Sequence, residues 1–249
     1  MKWLDIPGVA PAALIAILLL LWQAVFMTAG PLAIASPAST FAYLVQQLGG
    51  PDFWVHVWAT GQAFLYALAI AILGGLLIGL LAGLSATASE TAEPLLLAAN
   101  SIPKIALYPV VLLMFGIGLP AKVAFGAIHG IIPVAIFTIN ACRALPPVLL
   151  KTGRVMRLSP TDRIGSILLP SALPDIVTGV RLGFSLTLIG TVLGEMFGAQ
   201  SGLGYLLMTS IGLQNTQMIM SVTVLLVAFA ASVSTALLAW ERRLRQVRG

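Results

Sequence analysis

Charge is what this sequence has least of. Only 8% of its 249 residues are Asp, Glu, Lys or Arg, against 59% hydrophobic, and the mean hydropathy is +1.03. A soluble globule of this length needs far more polar surface, so the composition excludes one and reads as an all-α, polytopic membrane protein. Cysteine is nearly absent: the single Cys142 rules out an internal disulfide and any cysteine-held metal cluster. The two histidines, His56 and His129, stand on separate segments, and no H-E-x-x-H or other paired-ligand spacing occurs. There is no G-x-x-x-x-G-K-[ST], so the chain does not hold ATP in a P-loop, and Gly202-x-Gly204 lacks the third glycine and the preceding strand of a dinucleotide fingerprint. The ionisable groups within apolar runs, Lys104, His129, Arg181 and Glu195, are scattered over different helices, which leaves an intramembrane enzyme no converging set. No metal or cofactor is expected on this chain.

Base is missing from two long stretches, Gly30 to Val57 and Phe197 to Gln217. Positive residues mark the cytoplasmic side of a membrane protein, so these stretches are expected outside. The remaining bases lie beside apolar spans or in the tail with Arg242, Arg243, Arg245 and Arg248. The net charge of +5 and the pI near 9.8 therefore point to membrane orientation and not to nucleic acid.

Six helical crossings are expected, at about 9–28, 59–84, 102–118, 121–141, 175–194 and 218–240, with both termini cytoplasmic. The first run competes with a signal peptide, since Ala33-Ile34-Ala35 resembles a cleavage site, but its apolar core exceeds the usual roughly 7 to 15 residues and a retained helix is preferred. Trp54, His56 and Trp58 mark an interface. Gly75, Gly79 and Gly83 form one smooth stripe and Gly179, Gly183, Thr187 and Thr191 another, with Gly190 and Gly194 adjacent; in lipid such stripes permit close helix packing. Ala228, Ser232 and Ala236 make a further small face.

The polar positions divide between structure and function. Lys104 is expected at the cytoplasmic edge of the third crossing, with an interfacial helix over Glu90 to Ser101 before it and Pro103 and Pro109 breaking the start of the span as a gate. Lys122 is expected to snorkel at the outer end of the fourth crossing. His129 reads as a packing residue in preference to a proton relay. Glu195 reads either as an exposed interfacial acid or as part of a pathway. With it, Asn100, Tyr108, Asn140, Thr187 and Thr191 are the polar side chains that could line a solute path.

The most basic stretch separates the fourth and fifth spans. Residues 143–170 carry Arg143, Lys151, Arg154, Arg157 and Arg163 against one acid, Asp162. Pro146-Pro147 can open a helix running to Leu158, and Ser159-Pro160-Thr161-Asp162 reads as the capped start of a second. On the first helix Lys151, Arg154 and Arg157 share a stripe, while Leu149, Leu150, Val155, Met156 and Leu158 supply apolar surface. A basic loop of this kind is often only an orientation signal.

Here the loop resembles the EAA loop of binding-protein-dependent ABC importer permeases. Ile167-Leu168-Leu169-Pro170 matches its end and Ser159 falls at its glycine, whereas Gly153-Arg154-Val155 stands where Glu-Ala-Ala is expected. Further stretches are similar to the nitrate, sulfonate and taurine branch: Glu93-Pro94-Leu95-Leu96, Ser101-Ile102-Pro103, Ala106-Leu107-Tyr108-Pro109, Phe115-Gly116-Ile117-Gly118, Gly179-Val180-Arg181-Leu182, Gly194-Glu195-Met196-Phe197-Gly198 through Gly202-Leu203-Gly204-Tyr205, and Trp240-Glu241-Arg242-Arg243.

The resemblance implies a type I permease subunit of the bacterial inner membrane. It implies partners: a second permease, the same chain or another, two ATPase subunits that bind ATP and Mg, and an external solute-binding protein. It assigns the docking of the ATPase to Leu150, Lys151, Gly153, Arg154, Val155, Met156, Leu158, Ser159 and Pro160. Gly153 inside so short a helix loosens it by about 1 kcal/mol relative to alanine. An ion-coupled secondary transporter is the alternative; it would use a charged relay within the spans and need no partner at 143–170.

Overall fold

The computed structural model describes residues 9–144 and 169–246 and, between them, residues 148, 155, 156, 159, 162, 165 and 166. The helices are α1 (Val9–Ala29), α2 (Pro37–Leu48), α3 (Pro51–Gly83), α4 (Ala86–Ser101), α5 (Tyr108–Phe115), α6 (Leu119–Arg143), α7 (Leu169–Gly198), α8 (Leu203–Gly212) and α9 (Thr216–Gln246), with a 3₁₀ turn at Lys104–Leu107 before α5. Strands are absent among the described residues.

Local chemistry sets most of these boundaries. Ser36 caps α2, its hydroxyl accepting from Ser39 N at 3.1 Å, and Pro37 follows at the first helical position. α3 likewise opens on Pro51 after an extended Gly50, so it starts well before residue 59 and carries Trp54, His56 and Trp58 within it. Gly116 (φ +72°) and Gly118 (φ +128°) make the turn from α5 into α6 in a backbone region open to glycine.

Five helices, α1, α3, α6, α7 and α9, are long and apolar enough to cross a membrane, and α4 with the 3₁₀ turn and α5 makes a sixth if the bent pair is one span. The break expected at Pro103 is present at the start of this segment, whereas Pro109 stands in the first turn of α5 and does not interrupt it. The chain bends by 82° between Ala86–Ser101 and Lys104–Phe115, because Ile102 precedes Pro103 and is forced extended (ψ 131°). The eight residues of α5 extend only about 12 Å.

Contacts orient the bundle. Arg245 Nη2 donates to Asp175 Oδ1 at 2.8 Å, and Arg143 Nη1 to Glu93 Oε2 at 2.8 Å. These place the end of α9, the start of α7, the end of α6 and α4 together, at the loop end of the bundle. At the other end Thr216 Oγ1 donates to Pro31 O at 3.3 Å and Trp22 Nε1 to Ala35 O at 2.9 Å. Helix α9 is joined to the core by Phe229, whose ring lies 6.1 Å from Phe64 of α3 and 6.0 Å from Phe184 of α7, themselves edge to face at 5.3 Å. The expected polar tail is helical through Gln246, and Ala228, Ser232 and Ala236 face outward.

Candidate functional site

The centre of the molecule is a slab in which α6 packs along both α3 and α7. Its seams are the glycine stripes. A Cβ at Gly75 would stand 2.5 Å from Val134 Cβ, one at Gly79 would collide with Thr138, and one at Gly83 would stand 2.7 Å from Cys142 Cβ. On the opposite face of α6 a Cβ at Gly130 would collide with Thr187 Oγ1 and stand 2.8 Å from Ala71 Cβ, so Gly130 is confined from both sides. Gly126 meets Thr191, Gly183 meets Val134, and Gly190 meets His129 in the same way. Without apolar exclusion to drive them together in lipid, helices associate by this close packing. His129 belongs to it: the ring is buried against Phe125, and Nδ1 donates to Phe125 O at 2.8 Å.

The end of the slab away from the loop is closed by a glutamate and a lysine. Glu195 is 0% exposed and Lys122 4%, and their Oε1 and Nζ lie 3.4 Å apart. Lys122 therefore does not snorkel, and Glu195 is not an exposed acid. Burying such a pair is tolerable only when further donors and acceptors find partners, and here both Glu195 oxygens and two of the three Lys122 donors do. Thr60 Oγ1 of α3 donates to Glu195 Oε2 at 2.7 Å, Gly204 N donates to the same oxygen at 3.0 Å, and Lys122 Nζ donates to Ser201 O at 2.6 Å. Thr60 Oγ1 in turn accepts from Leu203 N at 2.7 Å, and His56 Nδ1 accepts from Gly202 N at 3.1 Å while its ring stacks on Tyr205. Gly202 (φ +125°) and Gly204 are needed because a side chain at either would enter the space of Glu195. The turn at 199–204 is thus clasped to three helices.

The loop end carries a second, wetter charge cluster. Arg181 Nε lies 3.4 Å from Glu241 Oε2, so its guanidinium is paired; Arg245 bridges Glu241 and Asp175. Of the residues assigned to ATPase docking, Leu150, Lys151, Gly153, Arg154, Leu158 and Pro160 lie outside the described residues. Val155 is 82% and Met156 64% exposed. Ser159 Oγ accepts from Asp162 N at 3.1 Å and donates to Asp162 Oδ2 at 2.6 Å, which is the N-cap geometry its sequence context predicts.

The polar side chains considered for a solute path fall into two sets. Asn100 and Asn140 are exposed. Tyr108, Thr187, Thr191 and Glu195 are buried in the packed core, Tyr108 donating to Gly194 O at 2.5 Å. Asn100 is engaged locally, its Oδ1 and main-chain O accepting from Lys104 Nζ at 3.1 and 3.2 Å. The Lys104 position is also corrected. Tyr108 reaches Gly194 and Phe125, in the turns of α7 and α6 remote from the loop, and a four-residue 3₁₀ turn rises only about 8 Å, so the break stands within the length of the bundle and not at its edge. The clasp itself escaped the local pattern, since Thr60, Lys122 and Glu195 sit on three helices; the one available signal was a lysine and a glutamate at matching depths of successive spans.

Comparison with known proteins agrees with this architecture. Residues 75–246 match the family described as binding-protein-dependent transport system inner membrane component. The chain is 30% identical over 244 residues to the riboflavin transport system permease protein of Chloroflexus aurantiacus, covering 94% of this chain and 91% of that one. It is 26% identical over 237 residues to the taurine transport system permease protein of Escherichia coli, covering 92% and 86%. Its fold is similar to that of the MetNI methionine ABC transporter in inward-facing conformations, with a TM-score of 0.65 at 22% identity, over 78% of this chain and 98% of that chain. The match over residues 75–246, together with a relative aligned over nine-tenths of both chains, makes this chain a member of the binding-protein-dependent transport system inner membrane components, a multi-pass, non-catalytic permease subunit of an ABC importer.

Proposed function

We propose that the chain forms, with a second permease, the translocation path for a small polar solute, and that a separate ATPase drives it through residues 143–170. The partner permease is another copy or a related chain, ATP and Mg are held by two ATPase subunits, and an external binding protein delivers the solute. In this reading the loop end and both termini are cytoplasmic. The observation that carries it is mechanical: α6 and α7, which frame the loop, are knit together along their length by Gly126, Gly130, Gly183 and Gly190 and joined again by Lys122 and Glu195. Packed interiors transmit strain, so displacement of the loop moves both helices as one body.

The exposed apolar side chains of Val155 and Met156 supply the docking surface. Substituting Met156→Asp places a charge there without touching the slab. The variant is expected to insert and assemble normally in the membrane and to lose uptake and ATPase coupling, measured in vesicles containing the co-purified subunits. Normal uptake would remove the docking assignment. The rival, ion-coupled transport, would need a relay of ionisable groups, whereas among the described residues the hydrogen-bond partners around the buried Lys122–Glu195 pair are main-chain groups and Thr60. Vesicles with and without the ATPase separate the two.

The solute is of the class carried by the relatives: a vitamin such as riboflavin, or a small sulfonate, taurine or nitrate-like anion. Asn100 and Asn140 are neutral and exposed, which favours neither sign of charge. Direct binding measurements on the partner binding protein would decide among them.

A further inference from the structure

Helix α5 lies on the slab by one face, Tyr108, Val111 and Leu112 packing in a cluster with Ala121, Phe125 and Leu193. It is hinged at both ends, by the extended Ile102–Pro103 break on one side and by Gly116 and Gly118, both at positive φ with nothing within 4 Å of a built Cβ, on the other. Its outward face, Val110, Leu113, Met114 and Phe115, is exposed. Among the described residues a single side-chain hydrogen bond joins 102–115 to the slab, from Tyr108 Oη to Gly194 O at 2.5 Å.

That bond sits in a shaped socket. The Tyr108 ring meets Phe125 of α6 edge to face at 4.9 Å and Phe197 of α7 at 6.1 Å. The floor is made by two glycines of α7: a Cβ at Gly198 would collide with Tyr108 Oη and stand 2.7 Å from Leu112 Cδ2, and one at Gly194 would stand 3.7 Å from the Tyr108 ring. The acceptor, Gly194 O, is adjacent in sequence to Glu195, so the socket is held in place by the clasp. A tyrosine on a doubly hinged rod, seated in a rigid glycine-floored socket, has the parts of a releasable catch: one fixed member, one mobile member and one bond between them.

We propose that Tyr108 is a positioning residue for transport, latching α5 to α7 in the resting state and leaving the socket when the path opens. The latch does not contact solute; it sets the population of the state from which opening starts. This inference rests on the ATP-driven reading given above, and the test keeps the two apart.

The transporter, purified with the subunits that accompany it and placed in lipid nanodiscs, is assayed for ATP hydrolysis without solute or binding protein. Tyr108→Phe keeps the ring and removes the hydroxyl. It is expected to raise basal hydrolysis about fivefold, the shift that loss of one buried neutral hydrogen bond confers on a two-state equilibrium, with the thermal unfolding midpoint lowered by no more than about 4 °C. Gly198→Ala, which fills the socket from the other side, is expected to raise it similarly, and the double variant no further. Hydrolysis unchanged in both single variants, or falling in step with a lowered midpoint, would overturn the latch and leave Tyr108 a packing residue. Absence of ATP hydrolysis in every preparation, wild type included, would instead count against the ATP-driven reading.

Discussion

The α3–α6–α7 slab and the α4–α5 arm lie against each other, yet they are held by different means. In the slab, side-chain volume is removed wherever helices cross, at Gly75, Gly79, Gly126, Gly130, Gly183 and Gly190, and its one buried ion pair is surrounded by satisfied partners. The arm is interrupted at Pro103, reversed at Gly116 to Gly118, and fastened at separate points, by Glu93 of α4 to Arg143 and by the Tyr108, Val111 and Leu112 face of α5. A region with no slack moves as a unit; a segment such as 102–115, with a break at each end and one side-chain hydrogen bond to the slab, is free to move against it. The division of labour between rigid lever and mobile arm follows from where the glycines sit: in helix seams they remove freedom, and in turns they supply it.

This contrast can be broken from the slab side. Replacing Glu195→Ala strands the buried Lys122 ammonium and frees the Gly204 N–H and Thr60 hydroxyl, so a loss of about 3–5 kcal/mol is expected. It should be read as a sharply lowered thermal midpoint of the assembled transporter in detergent. Next in size, Gly130→Ala forces a methyl between Thr187 and Ala71 and is expected to destabilise by about 1–3 kcal/mol by overpacking, checked by the same melt. Smaller still is Glu195→Gln, which retains an oxygen for Thr60 or Gly204 and leaves Lys122 its bond to Ser201 O. Its midpoint should fall between those of wild type and the alanine variant. If Glu195→Ala melted like wild type, the clasp would not be what closes that end.

The glycine seams could be read from sequence because helix packing imposes a repeat: Gly75, Gly79 and Gly83 return to one face every four residues, and so do Gly179, Gly183 and Thr187. The start of the broken arm was equally legible, since Pro103 restricts Ile102 whatever surrounds it. Depth was not. Lys104 looked like an edge residue from charge bias alone, whereas its depth depends on Tyr108 finding a socket on α7, a contact between distant parts of the chain. Lys122 and Glu195 each looked like interfacial charges for the same reason: local pattern gives the charge, and only the fold brings its partner. Thr187 and Thr191 show the reverse ambiguity, because a hydroxyl on a small-residue face serves a path or a seam equally well; here both lie in the seam.

The most direct measurement of a rigid slab beside a mobile arm is a pair of spin-label distances in the assembled transporter, with and without a trapped nucleotide. Leu113 on α5, Ile189 on α7 and Leu73 on α3 are exposed sites for labelled cysteines, and the native Cys142 is buried. The Leu113-to-Ile189 distribution should shift between the two states while the Leu73-to-Ile189 distribution stays fixed. A shift in the second pair with none in the first would reverse the assignment of lever and arm.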